Sequence, residues 1–166
     1  MLSPDTQHLS TENGVSHSTY EITANSTISA TPPQVWAVLD DFAGWRNWMP
    51  AMEQMQIELL SRGAPRKGYQ FRLRGGIVHA ELEVTGYTEL ERVTDFAVHI
   101  PLLPPIRGQN TCRLHPLGNS TYRIERVDRI YLNNGLLIKF LDTTQRKRFE
   151  QLAVDFVRAL KQAVAA

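Results

Sequence analysis

The C-terminal stretch GLLIKFLDTTQRKRFEQLAVDFVRALKQAVAA, residues 135–166, decides the fold. Its apolar side chains recur at the spacing of an amphipathic helix, and charged side chains lie off that stripe. Because no glycine or proline follows Gly135, we predict one helix about 45 Å long, around which a curved sheet must wrap. The alternative is two shorter helices, separated near Asp142-Thr143-Thr144. The stripe contains Phe149, Leu152, Ala153, Phe156, Leu160, Ala163 and Val164.

The composition predicts an ordinary soluble domain. The chain has 166 residues, of which 42% are hydrophobic and 21% charged, and its net charge is +1. This balance is typical of a globular core and gives no field that would attract nucleic acid. No apolar run approaches the roughly 20 residues of a membrane span. We predict a flexible tail at residues 1–18 and a single domain at residues 19–166.

The single cysteine, Cys112, excludes an internal disulfide and fits a reducing compartment, so we predict a cytoplasmic location. The sequence contains no H-E-x-x-H or C-x-x-C motif and no glycine pattern of a phosphate- or dinucleotide-binding loop. We therefore predict no metal and no cofactor. Nothing in the sequence indicates an oligomeric state.

Two short helices are predicted after a first strand. Residues 20–30 alternate apolar and polar side chains, which is typical of a half-buried strand. Thr31-Pro32-Pro33-Gln34 then carries a capping residue, a proline suited to the first helical position and a capping-box glutamine. A second helix is expected from Phe42 to Met49, where Pro50 ends it.

The rest of the chain, from Met52 onward, is predicted to be an antiparallel meander. Gly75-Gly76 separates two alternating runs, and a glycine pair is typical of a two-residue hairpin turn. Two further turns are expected at residues 88–92 and 117–120. The predicted cross-strand pairs are Leu73–Val78, Phe71–Ala80 and Tyr69–Leu82, then Val84–Phe96 and Leu82–Val98, then Leu114–Tyr122, Cys112–Ile124, Asn110–Arg126 and Gly108–Asp128.

This order of elements carries a family resemblance. The segments concerned are SATPPQVW at 29–36, FAGWRNWMP at 42–50, GYQF at 68–71, EVT at 83–85 and the stripe at 149–163. With them the chain resembles the START/SRPBCC superfamily, the helix-grip fold, and within it the polyketide cyclase/dehydrase-like group. The resemblance covers about residues 18–165. It implies an α+β fold in which about seven antiparallel strands curve round the long C-terminal helix.

The resemblance also implies a cavity between the concave sheet and that helix, and the residues agree with it. The positions on the inward phase of the strands are apolar and many are large, so the space either fills with side chains or binds a small apolar molecule. Trp48 is a core residue or part of an aromatic wall. The predicted cavity residues are Trp48, Tyr69, Phe71, Leu73, Ala80, Leu82, Phe96, Val98, Cys112, Ile124 and Phe156.

Few residues are candidates for catalysis. Arg126 and Asp128 share the inward phase, either as an ion pair at the sheet end or as polar anchors of the pocket. Cys112 is expected to be a small buried apolar residue rather than a nucleophile, because no basic neighbour is evident. His79 and His99 fall on the outward phase, which favours surface histidines, although a bulge at Gly86 would invert part of that phasing.

Two functions follow. The first is the binding or transport of a hydrophobic small molecule, such as a lipid, a quinone or an aromatic polyketide. The second is a polyketide cyclase or dehydratase that positions its substrate in the same cavity and uses Arg126 and Asp128 as an acid/base pair.

Overall fold

The computed structural model describes residues 18–133 and 135–166, and the predicted tail lies outside them except for Ser18, which begins the first strand. Seven antiparallel strands form one sheet in the order β1-β7-β6-β5-β4-β3-β2. The predicted α+β helix-grip architecture is confirmed. The strands are β1 (Ser18–Ser29), β2 (Gln56–Leu59), β3 (Gln70–Gly75), β4 (Val78–Tyr87), β5 (Glu91–His99), β6 (Ile106–Gly118) and β7 (Thr121–Leu132).

Two short helices connect β1 to β2, as predicted. Helix α1 spans Pro32–Leu39, and a 3₁₀ helix spans Phe42–Asn47. Gln34 Oε1 accepts a hydrogen bond from the backbone N–H of Thr31 at 2.9 Å, which is the reach-back contact of a capping box. Asp41 caps the 3₁₀ helix by accepting from the Gly44 N–H at 3.1 Å.

The C-terminal stretch forms two helices, so the prediction of one uninterrupted helix is wrong and the alternative holds. Helix α2 spans Gly135–Thr144 and helix α3 spans Arg146–Ala165. The hydroxyls of Thr143 and Thr144 donate to the carbonyls of Lys139 and Phe140, both at 2.7 Å. Such back-bonding competes with the backbone ladder of a helix and often bends it, which explains the break at Gln145.

The predicted strand pairs are wrong by two residues at all three hairpins, although each side chain keeps its predicted face. At the first hairpin the turn is Gly76-Ile77, because only Gly76 has positive φ (59°), as the first central residue of a II′ turn requires. At the last, Asn119 and Ser120 both have positive φ and follow a bulge. The observed pairs include Leu73–Ala80, Phe71–Leu82, Leu82–Phe96, Ala80–Val98, Leu114–Ile124, Cys112–Arg126, Asn110–Asp128 and Gly108–Ile130.

The buried side chains form two clusters on the concave face of the sheet. The larger one joins β1, β6 and β7 to α1 and α3, with Val35, Ile124 and Leu160 fully buried. The smaller one joins the 3₁₀ helix to β3 and β4 around Phe71. Helix α3 packs chiefly on β1, while the 3₁₀ helix covers β3, so a space remains between the two clusters.

Candidate functional site

A cavity of about 290 Å³ occupies the space between the two clusters. Its walls come from the 3₁₀ helix and the segment after it, from α3, and from the concave side of β3 to β7. It therefore lies where the helix-grip resemblance implies a ligand. The lining residues are Leu39, Asp40, Phe42, Trp45, Met49, Pro50, Ala51, Met52, Leu73, Leu82, Val84, Arg92, Thr94, Phe96, Asn110, Arg126, Asp128, Leu152 and Phe156.

Aromatic packing holds the 3₁₀ side of the cavity open. The ring of Phe42 stacks on Phe71 with a centroid distance of 4.2 Å, and Trp45 meets Phe71 edge-on at 5.4 Å. Trp45 Nε1 also donates to the Leu39 carbonyl at 2.8 Å. The ring contacts hold the 3₁₀ helix against β3, and the buried hydrogen bond joins it to the end of α1, so it cannot move into the cavity without losing them.

The opposite wall is a pair of side chains from α3. Phe156 is buried and touches Trp48, with ring centroids 5.7 Å apart, while Leu152 is half-exposed at the cavity edge. The guanidinium carbon of Arg126 lies 4.0 Å from the centre of the Phe156 ring. This cation–π contact holds a charged side chain against an otherwise apolar wall.

The polar end of the cavity is a cross-strand network on β6 and β7. Arg126 Nε donates to Asp128 Oδ2 at 2.8 Å, and Arg126 Nη2 donates to Oδ1 at 3.1 Å. Asn110 Nδ2 donates to the same Oδ1 at 2.7 Å. Both carboxylate oxygens are therefore held by protein donors. Among the described residues, Arg126 Nη1 forms no hydrogen bond, so this donor is available to a guest.

A second ion pair lines the cavity near the end of α1, and sequence reasoning missed it. Arg92 Nη2 lies 3.2 Å from Asp40 Oδ2, and the side chains are only 8% and 15% exposed. The guanidinium lies between the rings of Trp36 and Tyr87, at 4.3 and 3.5 Å. The only indication of this pair in the sequence is that Arg92 shares the inward phase of β5 with Phe96. No comparable indication exists for its partner, Asp40.

The hydroxyl of Tyr87 completes this group. It donates to Asp40 Oδ2 at 2.9 Å. Partial burial is the largest cause that raises the pKa of Tyr87 above its ordinary value, and this hydrogen bond to a carboxylate raises it further. The phenol therefore stays protonated well above neutral pH and serves as a fixed donor to Asp40.

The structure brings part of the predicted site together. Leu73, Leu82, Phe96 and Phe156 line the cavity, with Arg126 and Asp128 at its polar end. The other predicted residues lie beside the cavity wall and do not line it, since they pack against neighbours of the same face. Tyr69 and Phe71 are buried under the 3₁₀ helix, Cys112 and Ile124 are buried under α3, Trp48 packs between the two clusters, and Ala80 and Val98 face each other across β4 and β5.

Cys112 is enclosed on all sides and only 1% exposed. Burial raises the pKa of its thiol to about 12, an effect that the neighbouring Arg126 reduces and Asp128 adds to. The thiolate is the nucleophilic form of cysteine, so the thiol is unreactive at neutral pH. This geometry agrees with the prediction of a small buried side chain.

The family model described as "polyketide cyclase / dehydrase and lipid transport" matches residues 19–165. The chain belongs to this family. No curated protein sequence matches the chain. The family description covers both cyclisation chemistry and the carriage of lipids, so membership supports a hydrophobic small molecule as ligand without choosing between the two.

Solved structures share the fold at low sequence identity. The ZhuI aromatase/cyclase from a Streptomyces species is 14% identical, with a TM-score of 0.61 over 89% of this chain and 94% of that one. Norcoclaurine synthase from Thalictrum flavum is 12% identical, with a TM-score of 0.66 over 97% and 99%. The Mll3558 protein from Rhizobium loti is 18% identical, with a TM-score of 0.62 over 91% and 99%. Among the described residues, no helix combines the length and apolarity needed to cross a membrane.

Proposed function

We propose that this protein binds a compact hydrophobic molecule that carries one hydrogen-bond acceptor. The observation that carries the proposal is the composition of the cavity wall. Most of it is apolar, from the 3₁₀ helix, β3 to β5 and α3, while one end presents Arg126, whose Nη1 forms no hydrogen bond to any residue that the structure describes. An apolar pocket with a few convergent polar groups is the usual form of a small-molecule site.

The size of the cavity limits the guest. Its volume of about 290 Å³ is at the lower end of the range for ligand pockets. The same volume of liquid water would contain about ten molecules, at roughly 30 Å³ each. A compound of one or two rings fits this space better than a long acyl chain. We therefore favour an aromatic or quinone-like ligand over a membrane lipid, carried in the cytoplasm.

A pair of isosteric ligands tests the proposal. Acetylnaphthalene has a ketone oxygen, whereas isopropenylnaphthalene has nearly the same planar shape, with a CH₂ group in place of that oxygen, and has no comparable acceptor. We expect the ketone to bind about tenfold more tightly or better, because a hydrogen bond to a charged donor contributes about 1.5–3 kcal/mol. Fluorescence titration of both compounds measures the ratio. Equal affinities, or no binding of either compound, would contradict the proposal.

A double variant supplies the matched control. Arg126→Met with Asp128→Asn removes the donor and its partner together, so that no charge is left unpaired in the cavity. We expect this variant to bind both naphthalenes equally. The pair Arg158 and Asp155 has the same chemistry on the exposed side of α3, at 3.1 Å. Arg158→Met with Asp155→Asn should leave the tenfold preference intact.

A cyclase or dehydratase is the second candidate, and one observation favours it. Arg126 and Asp128 both line the cavity, as an acid/base pair would have to. Against it, both oxygens of Asp128 already accept hydrogen bonds. If Asp128 is a general base, Asp128→Asn should abolish turnover of an aromatic poly-ketone and retain its binding. Native mass spectrometry of protein from its own host would identify the class of any bound compound.

A further inference from the structure

The convex face of the sheet, away from the cavity, carries a cluster of three metal-ligating side chains. His79 and Glu81 are two residues apart on β4, so they point to the same side, and His99 is the direct partner of His79 on β5. Leu82 and Phe96 on the same strands line the cavity, which assigns the three to the opposite face. One ligand atom from each lies within 4.8 Å of the other two.

From this arrangement we propose that His79, Glu81 and His99 bind a divalent transition-metal ion, with Zn²⁺ as the reference ion. Two imidazoles and one carboxylate are a donor set that Zn²⁺ accepts, and three protein ligands leave a fourth position for water or another ligand. The ion would link β4 to β5 at the end of the sheet where the loop from Ile100 begins.

The distance between His99 and Glu81 is close to that of two ligands on a shared ion. His99 Nε2 lies 3.6 Å from Glu81 Oε2, which is too long for a hydrogen bond. Two ligand atoms bound to one tetrahedral Zn²⁺ are about 3.3 Å apart, since each bond is about 2.0–2.1 Å. His99 Nε2 is also a buried atom that has no hydrogen-bond partner among the described residues. A polar nitrogen that is both buried and unpartnered favours a ligand at this position.

One of the two histidine rings must rotate before both can bind one ion. The rings stack at a centroid distance of 4.6 Å and an interplanar angle of 5°. The nitrogen lone pairs of parallel rings lie in parallel planes, so one ring must rotate about its Cβ–Cγ bond for both rings to bind the same ion. The distribution of that torsion angle is broad for histidine. Both histidines are only partly buried at the strand ends.

Arg72 on β3 positions the carboxylate. Its Nη2 donates to Glu81 Oε1 at 3.1 Å, while Oε2 faces His99. The two oxygens thus have separate roles, one held by the protein and one directed to the ion, as is usual for a metal-ligating carboxylate. Arg72 Nη1 also donates to Glu58 at 3.1 Å, so its positive charge is compensated away from the cluster.

Zinc titration of untagged, chelator-treated protein tests the proposal, in competition with a chromophoric chelator. We expect one Zn²⁺ per chain, and an affinity that falls more than tenfold in His79→Asn, in His99→Asn and in Glu81→Gln. Arg72→Met should weaken binding by about 10- to 100-fold, the usual effect of losing a group that orients a ligand. Absence of stoichiometric binding, or full affinity in both single histidine variants, would overturn the proposal.

Two controls use the other histidines. His115 is also a strand residue next to a carboxylate, with Nε2 3.2 Å from Glu125 Oε2, but no second histidine faces it among the described residues. His115→Asn should bind Zn²⁺ as the unmodified protein does, and so should His8→Asn with His17→Asn. Loss of binding in either control would overturn the assignment.

If a variant fails to fold, measurements on the unmodified protein still test the proposal. On addition of Zn²⁺, the ring resonances of His79 and His99 should shift together in NMR spectra while those of His115 stay in place. Co²⁺ should give the visible absorption of a tetrahedral ion with mixed nitrogen and oxygen ligands. Shifts confined to other histidines would contradict the site.

Discussion

Arg126 and Asp128 lie two residues apart on the concave side of β7, where the guanidinium donates to both carboxylate oxygens at 2.8 and 3.1 Å. The pair is a local unit, since both partners belong to one strand and point the same way. Its charges are compensated before any guest enters, and within the described part of the chain Arg126 Nη1 forms no hydrogen bond and remains to bind a guest. This geometry is better suited to orienting a ligand than to transferring a proton.

The first prediction is that the two residues act as a unit in stability. The side chains are 23% and 21% exposed, so removing one leaves the other partly buried without its partner. We expect Arg126→Met and Asp128→Asn to show a coupling free energy of about 1 kcal/mol in a double-mutant cycle by urea unfolding. Arg129 and Glu21, 42% and 47% exposed at the outer face, should couple by less than about 0.5 kcal/mol. Additive effects at Arg126 and Asp128 would show that the pair is independent.

The second prediction concerns the cavity itself. Leu82 lies on β4 with its side chain in the wall, opposite Phe96 on β5. Leu82→Trp adds a large ring to a space of about 290 Å³, so binding of a hydrophobic fluorescent probe should be abolished. Far-UV circular dichroism should be unchanged, since the ring enters existing space.

The adjacent residue gives the control for this substitution. Glu83 is on the same strand and points to the convex face, where it accepts from Gln70 at 3.0 Å. Glu83→Trp should therefore bind the probe as the unmodified protein does. If both tryptophan variants bind the probe normally, the cavity is not the binding site.

The sequence predicted which face of each strand is buried but not which residues are partners. Alternation with period two assigns faces, and a slip of two residues leaves every face unchanged, so hydrophobic matching cannot detect it. Turn geometry decides the register, and here a single positive φ at Gly76 moves the first turn one residue along. For this reason the sequence correctly predicts that Arg126 and Asp128 face inward. It pairs Asn110 with Arg126, however, whereas in the structure Asn110 is paired with Asp128.

The same slip explains why the histidine cluster was not predicted. In the register expected from sequence, His99 lies opposite Glu81, and His79 has no histidine partner. In the structure His79 and His99 are opposite each other. The ion pair between Asp40 and Arg92 could not be predicted for a different reason. It joins the end of α1 to β5, and only the packing of these elements brings them together.

The third prediction is that the Asp40–Arg92 pair supports the fold. With side chains 8% and 15% exposed, its disruption leaves an uncompensated buried charge. We expect Arg92→Met to lower the free energy of unfolding by about 3 kcal/mol. Arg92→Lys should recover only part of this, because an ammonium cannot lie flat between Trp36 and Tyr87. Urea unfolding measures all variants, with the exposed Arg158→Met expected within about 0.5 kcal/mol of the unmodified protein. A comparably small effect for Arg92→Met would contradict the structural role.

The last prediction is a dependence of stability on alkaline pH that originates at Cys112. Burial raises the pKa of this thiol from 9.0 to about 12. Between these values the unfolded chain loses the thiol proton and the folded chain keeps it, so the free energy of unfolding must fall as pH rises. The slope contributed by one group is about 1.4 kcal/mol per pH unit once the unfolded thiol is ionised. Cys112→Ala removes this term, and its stability relative to the unmodified protein should therefore increase steadily from pH 8 to pH 10.5 in urea titrations. Parallel pH profiles for the two proteins would mean that the thiol ionises equally in both states, which full burial under α3 does not permit.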